Sequence, residues 1–350
     1  MAKRWEHHTP SGGYDTLAHF VDAEVVRRRT APSRTRRIAS RVWRRLSPTT
    51  KHLVDYRYED WLSELYVLGR RWSRPPDLVH FLYGDEQLDL VLRNRARLPG
   101  ALVATFHLPP GRVQQRFETV HKHLLAGIDA AIVVGQNQLP DFARWFGPDR
   151  LEYVPHGINT DRFCPGPEPR RARPGVRLLA VGHHMRDWKA MEGIVRECGS
   201  RNLPVRLDVV PAKDERSCPT HFPSVQLHKN VPEEELIRLY READALLLPV
   251  SDATATNAAL EALACGTPVI TNRVGGMPGY VDDTCGWLFD TGEVSEVVRL
   301  ISRISSDPDV ALSLRVGARN RALEFSWERV AERIREVYQR AINRRFSRVR

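Results

Sequence analysis

The chain has 350 residues, of which 42% are hydrophobic, so it is long enough to build two hydrophobic cores rather than one. Its five cysteines are spaced too widely for a zinc cluster or a disulfide framework, and no run is apolar enough to cross a membrane or to act as a signal peptide. The net charge is +10, and a soluble, cytoplasmic protein is expected.

Short β-rich runs alternate with helical patterns along the chain, which predicts an α/β fold of parallel sheets covered by helices. The first strand is predicted near Lys3 to His7, and the glycine pair Gly12 and Gly13 comes after it. A glycine loop before a helix can approach an anion closely.

A basic segment comes next, from Arg27 to Lys51, and no acid occurs between Val25 and Val54. Apolar residues recur every four positions in it among arginines, which is the pattern of a basic amphipathic helix: Ile38, Val42 and Leu46. Such a segment attracts phosphate groups in lipid, nucleic acid or an acidic substrate. A nucleic-acid role is not expected, because no recognition module accompanies the charge.

Four further strands are predicted in the first half of the chain, near Leu78 to Tyr83, Ala101 to Phe106, Asp129 to Val134 and Leu151 to Pro155. His107 directly follows one of them, at the carboxyl edge where open α/β sheets bind ligands. The alternative interpretation of His107 is a buried histidine whose ring nitrogens are satisfied by the protein.

The segment from Cys164 to Gly175 is too rich in proline and glycine for a helix or a strand, and it is the predicted linker. Strands are then predicted near Val176 to Val181, Val205 to Val210, Asp244 to Leu248, Pro268 to Thr271 and Gly286 to Phe289. We therefore predict an amino-terminal domain over residues 1–165, a second domain over 166–325 and a carboxyl-terminal helix over 326–350.

Several helix starts are recognisable in the second half. Pro232 in a first turn, followed by three glutamates, predicts a helix whose buried stripe is Leu236, Leu239, Tyr240 and Ala243. Ser326 is predicted to cap the last helix. Asp307 and Asp309 have the spacing of a metal-binding pair, but a turn and helix cap is the better interpretation, so no catalytic metal is expected.

The most informative stretch, from Leu246 to Ile270, has the order strand, polar loop, helix, glycine stop and strand. Small residues from Ala253 to Asn257 leave room at the helix start, where free N–H groups and the helix dipole favour an anion such as a diphosphate. Glu261 lies one to two turns into the helix, where a carboxylate can accept hydrogen bonds from ribose hydroxyls. A solvated helix glutamate is the alternative.

Five segments resemble retaining glycosyltransferases of the GT-B fold, family 4, also called group 1. Residues 261–271 (EALACGTPVIT) and 274–278 (VGGMP) resemble the donor-site signature, and residues 154–165 resemble the segment between the domains. Residues 178–189 resemble the first strand and phosphate-binding turn of the second domain, and residues 325–327 the start of the helix that crosses back. The resemblance implies two doubly wound Rossmann-like domains that face each other across a cleft.

The resemblance also implies roles for individual residues, because cations and free N–H groups suit the phosphate charge that builds as a leaving group departs. These roles are diphosphate binding by Arg186 and Lys189, backbone N–H contacts from Thr256 and Asn257, ribose binding by Glu261, close approach to the donor at Gly12, Gly13, Gly275 and Gly276, and catalysis by His107, Lys189 and Glu261.

Three positions depart from the family pattern. Ala253 stands where the family usually has a first glutamate, and Asp252 is the adjacent carboxylate that can replace it. His183 replaces the usual arginine after the valine-glycine pair, and Gly279 replaces a frequent glutamate. The donor-sugar contacts therefore differ from the usual pattern, and the sequence does not identify the sugar.

We expect transfer of a hexose from a UDP- or GDP-linked donor to a hydroxyl of a glycan, lipid or small molecule, with retention of configuration and without a cofactor or metal. The resemblance further implies peripheral contact of the basic segment with an anionic membrane at its inner face, with a solvated helix or arm as the alternative. Two other functions stay open: a non-catalytic nucleotide-sugar-binding protein, favoured by Ala253, and an epimerase or hydrolase on the same fold.

Overall fold

A computed structural model describes residues 11–26, 56, 58–70, 75–120, 122–167, 174–211 and 218–347. The described residues form two compact units. Counting only described residues, the first unit lies within 14–155 and 330–347, and the second lies within 11–13 and 156–329. The predicted strand Lys3 to His7 and the basic segment Arg27 to Lys51 lie outside the described residues.

The first unit contains a parallel sheet whose described strands stand in sequence order: β1 (Leu78–Phe81), β2 (Ala101–Phe106), β3 (Ala130–Val133) and β4 (Leu151–Tyr153). Every residue of β2 and β3 is buried, as expected for parallel strands covered on both faces. Phenylalanines form the centre of the core: Phe81, Phe106, Phe117, Phe142 and Phe146.

The second unit contains a parallel sheet in the order β10-β9-β8-β5-β6-β7. Leu246 and Leu248 lie in one buried cluster and Leu247 in another, because successive side chains of a strand point to opposite faces. The sheet is therefore doubly wound, with a core on each face. Its strands are β5 (Val176–Val181), β6 (Val205–Val210), β7 (Val225–Leu227), β8 (Ala245–Leu248), β9 (Val269–Asn272) and β10 (Gly286–Phe289).

The α-helices of the first unit are α1 (Tyr58–Gly69), α2 (Asp89–Arg93), α3 (Pro110–Gln115) and α4 (Leu139–Phe146). Those of the second unit are α5 (Trp188–Ser200), α6 (Glu233–Glu242), α7 (Asn257–Ala264), α8 (Val294–Ser306) and α9 (Pro308–Glu324). The last helix, α10 (Trp327–Ser347), begins in the second unit and continues in the first from residue 330.

Two chain segments are joined at the limits of the second unit. The N–H of Ile158 donates to the carbonyl of Phe325 at 2.9 Å, and the N–H of Trp327 donates to the carbonyl of Ile158 at 3.2 Å. A Cβ on Gly157 would lie 2.3 Å from the Trp327 ring, so only glycine fits against the indole. The second unit takes in the chain from His156 onward, whereas the sequence predicts the boundary after residue 165. Ile158 is accordingly buried in the core of the second unit.

The α/β class and the strands predicted within the described residues are confirmed, with ends that differ by at most two residues. Strand β7 is the exception, since the sequence predicts nothing at its three residues, of which the central Gln226 is polar and exposed. Short edge strands carry too few residues to show a period.

The predicted helix starts are also largely confirmed. Ser326 Oγ accepts from the N–H of Arg329 at 3.5 Å, and the side chain of Asp307 accepts from the N–H of Val310 at 3.1 Å. Pro232 has an extended backbone and caps α6 instead of forming its first turn, and the predicted stripe of α6 is buried.

Candidate functional site

Three loops meet at the carboxyl edge of the second sheet, after β5, β8 and β9. The N–H of Asp187 donates to the carbonyl of Pro249 at 2.9 Å, and the N–H of Ser251 donates to the carbonyl of Met185 at 2.9 Å. The loops after β5 and β8 are thereby joined. The loop after β8 in turn reaches the loop after β9, because the N–H of Gly276 donates to the carbonyl of Ala253 at 2.7 Å.

Helix α7 begins at this edge. The side chain of Thr256 accepts from the N–H of Ala259 at 3.2 Å, so Thr256 is the N-cap and Asn257 is the first helical residue. The earliest N–H groups of a helix have no partner within the helix, and the helix dipole favours negative charge there. The start of α7 can therefore receive an anion.

Arg186 brings a cation to the same edge. Its Nε donates to the carbonyl of Val181 at 2.9 Å and its Nη1 donates to the carbonyl of His184 at 3.0 Å, while no carboxylate of the described residues pairs with it. Burial lowers the pKa of this guanidinium to about 10. A half-buried arginine held by carbonyls alone has the geometry of a group that awaits an anion.

Lys189 lies in the first turn of α5, whose N-cap is Asp187, and its side chain is exposed. The Lys189 side chain makes no hydrogen bond or ion pair with the part of the chain that the structure describes. The two cations expected at the diphosphate are therefore in different surroundings, since Arg186 is held in place and Lys189 extends into solvent.

Glu261 is buried within α7, and its Oε2 accepts from the hydroxyl of Tyr240 at 2.9 Å. The pKa of Glu261 is raised to about 7. Burial is the main cause; the hydrogen bond from Tyr240 opposes it, and the charge of Glu233 adds to it. The carboxyl is thus not the solvated helix glutamate that the sequence leaves open. Tyr240, on α6, is a neighbour that the sequence predicts only as part of a buried stripe.

The turn at Gly275 and Gly276 packs against the loop after β8. Gly275 has a φ of 56°, and a Cβ there would lie 2.0 Å from the carbonyl oxygen of Ala253 and 2.8 Å from Oδ1 of Asp252. A side chain at residue 275 is therefore excluded. The carboxylate of Asp252 lies beside this turn, next to the position where Ala253 replaces the expected glutamate.

His107 directly follows β2 in the first unit. Its ring Nε2 lies 2.7 Å from the carbonyl oxygen of Leu82, which requires a proton on that nitrogen. The backbone N–H of His107 donates to Oδ2 of Asp85 at 2.6 Å. The ring packs between Tyr14 and Tyr83, with centroids 4.7 and 4.8 Å away. Asp85, which holds the backbone of this turn, is not found from the sequence because nothing in its local pattern marks it.

Gly12 and Gly13 are buried and belong to the second unit, and Gly13 has a φ of 97° that favours glycine. The preceding residue, Ser11, is hydrogen-bonded through both its N–H and its hydroxyl to Glu233 at the start of α6. From the sequence, Glu233 is only one of three acids that favour a helix start, so its contact with the glycine loop emerges only from the structure.

Metal sites and membrane-spanning helices are both absent from the described residues. No group of three or more histidines, cysteines, aspartates and glutamates has the arrangement of a metal site within them. None of the helices seen in those residues combines the length and apolar character that crossing a bilayer requires.

Comparison with known proteins gives a family and a fold. A family model described as Glycosyl transferases group 1 matches residues 223–322. The D-inositol 3-phosphate glycosyltransferase of Corynebacterium jeikeium is 36% identical over 306 residues, which cover 75% of this chain and 72% of that protein. The MMP alpha-(1->4)-mannosyltransferase of Mycolicibacterium hassiacum is 30% identical over 312 residues, covering 79% of this chain and 73% of that protein.

Two solved structures are similar in fold at low sequence identity. Anabaena Alr3699/HepE in complex with UDP-glucose has a TM-score of 0.64 and 14% identity, over 89% of this chain and 84% of that one. The sucrose-phosphate synthase of Thermosynechococcus elongatus has a TM-score of 0.63 and 19% identity, over 80% of this chain and 78% of that one.

Proposed function

Because the chain belongs to the group 1 glycosyltransferases and has their GT-B fold, we propose that it transfers a hexose from a UDP- or GDP-linked donor to an acceptor hydroxyl, with retention of configuration. That the chain is a glycosyltransferase follows from its family. The hexose, the nucleotide and the stereochemistry are the proposal, supported by one relative named as a mannosyltransferase and by a structural neighbour that holds UDP-glucose.

The observation that carries the proposal is Arg186, a half-buried cation without a carboxylate partner in the described residues, on a loop bonded to the one that leads into α7. A nucleoside diphosphate provides the missing negative charge. Its oxygens would accept from the guanidinium and from the free N–H groups at Thr256 and Asn257. Lys189, on a flexible exposed stem, would add charge as the diphosphate leaves.

The neutral parts of the donor are assigned to the remaining groups of the same edge. Glu261 would accept hydrogen bonds from the ribose hydroxyls, with Tyr240 holding its carboxyl in place. The glycine turn at Gly275 and Gly276 would leave space for the sugar, and Asp252 would supply the carboxylate that Ala253 lacks. His107 is proposed to contact the transferred sugar.

The proposal requires no metal and no cofactor. In a metal-dependent transferase a divalent ion stabilises the charge of the departing diphosphate. Here Arg186, Lys189 and the dipole of α7 are proposed to perform this task, as electrostatic groups fixed before the reaction.

The acceptor is proposed to be a hydroxyl of a glycan, lipid or small molecule. The relatives named for D-inositol 3-phosphate make a phosphorylated polyol one candidate to test. We further propose that the segment from Arg27 to Lys51 docks the protein on the inner, anionic face of a membrane, because ten basic residues occur there without an acid.

A donor panel tests the function. The purified protein is incubated with UDP- and GDP-hexoses and a mixture of polyol, glycan and lipid acceptors, and nucleotide release, product mass and the anomeric proton signals are measured. We expect acceptor-dependent release of UDP or GDP and a product that keeps the donor's anomeric configuration. Binding that raises the melting temperature, without turnover on any acceptor, would instead support a non-catalytic nucleotide-sugar-binding protein, as Ala253 in place of a glutamate favours.

A further inference from the structure

We propose that Glu233 is a positioning residue that anchors the glycine loop to the second unit and thereby fixes the place of the donor diphosphate. The glycine loop is the segment of Ser11, Gly12 and Gly13. This inference rests on the proposed function, because it concerns the same donor site, and it assigns a task to a residue that the family signature does not include.

Three donors converge on the carboxylate of Glu233. The N–H of Ser11 donates to Oε2 at 2.8 Å, the hydroxyl of Ser11 donates to Oε1 at 2.9 Å, and Nε of Arg162 donates to Oε1 at 2.8 Å. The Glu233 side chain is only 6% exposed. A carboxylate removed from water in this way is stable only when hydrogen bonds replace its hydration, and Ser11 supplies two of these three.

The next residue shows that these contacts are not a general property of the helix start. Glu234 also belongs to the first turn of α6 and also pairs with Arg162, but its side chain is 75% exposed. Both glutamates interact favourably with the positive end of the helix dipole, and both form an ion pair with Arg162. Of the two, Glu233 is the one bonded to Ser11, so the two residues separate the anchoring task from the other tasks.

The anchor matters because Gly12 and Gly13 come directly after Ser11. These two residues have no side chains that restrict the backbone, and glycine loses more conformational freedom on ordering than any other residue. With Ser11 fixed at two atoms, that freedom is removed before the donor arrives, so donor binding does not have to order the loop. Without the anchor, the loop would lie close to the diphosphate during only a fraction of the time.

One helix then organises two parts of the donor site. Glu233 at the start of α6 holds the glycine loop, and Tyr240 near the end of α6 donates to the carboxyl of Glu261 at 2.9 Å. Helix α6 therefore contacts both the glycine loop, which is expected beside the donor, and the carboxyl proposed for the ribose.

The experiment compares Glu233→Gln with Glu234→Gln in the full-length chain. Glutamine has the size of glutamate, but its amide has one acceptor oxygen in place of two, so it cannot accept from both the Ser11 N–H and Arg162, and its NH₂ group then meets one of these two donors. We expect Glu233→Gln to raise the KM for the nucleotide sugar about tenfold or more, because small errors in position are costly at a reacting centre. The KM for the acceptor is expected to stay constant.

Glu234→Gln is the matched control, and it is expected to keep the wild-type KM for the donor. Ser11→Ala removes the hydroxyl and keeps the backbone donor, so a smaller rise of about threefold is expected. Equal donor KM values for Glu233→Gln and wild type, or equal rises in both glutamine variants, would overturn the inference. If Glu233→Gln does not fold, Ser11→Ala decides, and an unchanged donor KM in that variant would also overturn it.

The outcome is distinguishable from a failure of the proposed function. Wild-type protein that neither binds nor consumes any UDP- or GDP-hexose contradicts the proposed function itself, and the inference is lost with it. Wild-type protein that turns over a donor while the Glu233 variant does so equally well contradicts the inference alone.

Discussion

Replacing Glu261 by glutamine is expected to stabilise the fold above neutral pH and, at the same time, to weaken donor binding. Glu261 is 4% exposed, and burial raises the pKa of its carboxyl from the ordinary 4.5 to about 7. The unfolded chain therefore releases this proton first, so the contribution to stability is complete below pH 4.5 and is lost as the pH rises through 7.

The size of the effect can be worked out from the shift in pKa. At about 1.4 kcal/mol per pKa unit, the ionised carboxyl costs the fold about 3 kcal/mol once the pH exceeds 7. Glutamine avoids this cost but loses the charge-assisted hydrogen bond from Tyr240. We therefore expect a net stabilisation of about 1–2 kcal/mol at pH 8 and little change at pH 4.5.

The assay combines urea unfolding of wild type and Glu261→Gln at both pH values with calorimetric titration of UDP and GDP. Loss of a charged acceptor for the ribose is expected to weaken nucleotide binding about tenfold. If Glu261 served only the fold, its replacement would lower the stability and leave the nucleotide affinity unchanged. Lower stability at both pH values together with wild-type nucleotide affinity would refute this reasoning and make Glu261 a structural residue.

Other perturbations test the remaining parts of the account. Arg186→Ala is expected to lower kcat/KM about a hundredfold and the exposed Lys189→Ala about tenfold, since the held cation contributes more; equal values for the two, or no loss, contradict this. Excess chelator is expected to leave the rate unchanged, and activity that requires added magnesium or manganese would overturn metal independence. Gly157→Ala is expected to lower the melting temperature through the clash with Trp327, and an unchanged melting temperature would show that the indole moves freely. Wild-type protein is expected to sediment with anionic vesicles at low salt and to be released at high salt. A variant with five arginines replaced by glutamate is expected to lose sedimentation but to keep donor hydrolysis; the replaced residues are Arg36, Arg37, Arg41, Arg44 and Arg45. Absence of sedimentation at low salt would favour a soluble acceptor.

Much of the fold can be predicted from local sequence, because parallel strands are buried on both faces and therefore consist of short apolar runs. Ala101–Phe106, Val176–Val181 and Val205–Val210 are found with their observed ends. β7 is missed because three residues with a polar centre show no periodicity. The limit of the second unit at His156 is also not visible, because the packing of Ile158 in the second core is tertiary information.

The site is predictable to a different degree. The stretch from Leu246 to Ile270 identifies a strand, a loop and a helix start, and these local features place Thr256 and Asn257 at the carboxyl edge. Contacts between distant segments have no such local signal. Ser11 and Glu233 are 222 residues apart in the chain, and Tyr240 meets Glu261 from another helix, so only the three-dimensional structure brings these partners together.

The central claim is that the donor diphosphate lies at the carboxyl edge of the second sheet. A crystal structure with UDP or GDP tests it most directly. We expect diphosphate oxygens within hydrogen-bond distance of the Arg186 guanidinium and the N–H of Asn257, with ribose hydroxyls at the carboxyl of Glu261. A nucleotide bound elsewhere, with Arg186 still held by the carbonyls of Val181 and His184 alone, would contradict the claim.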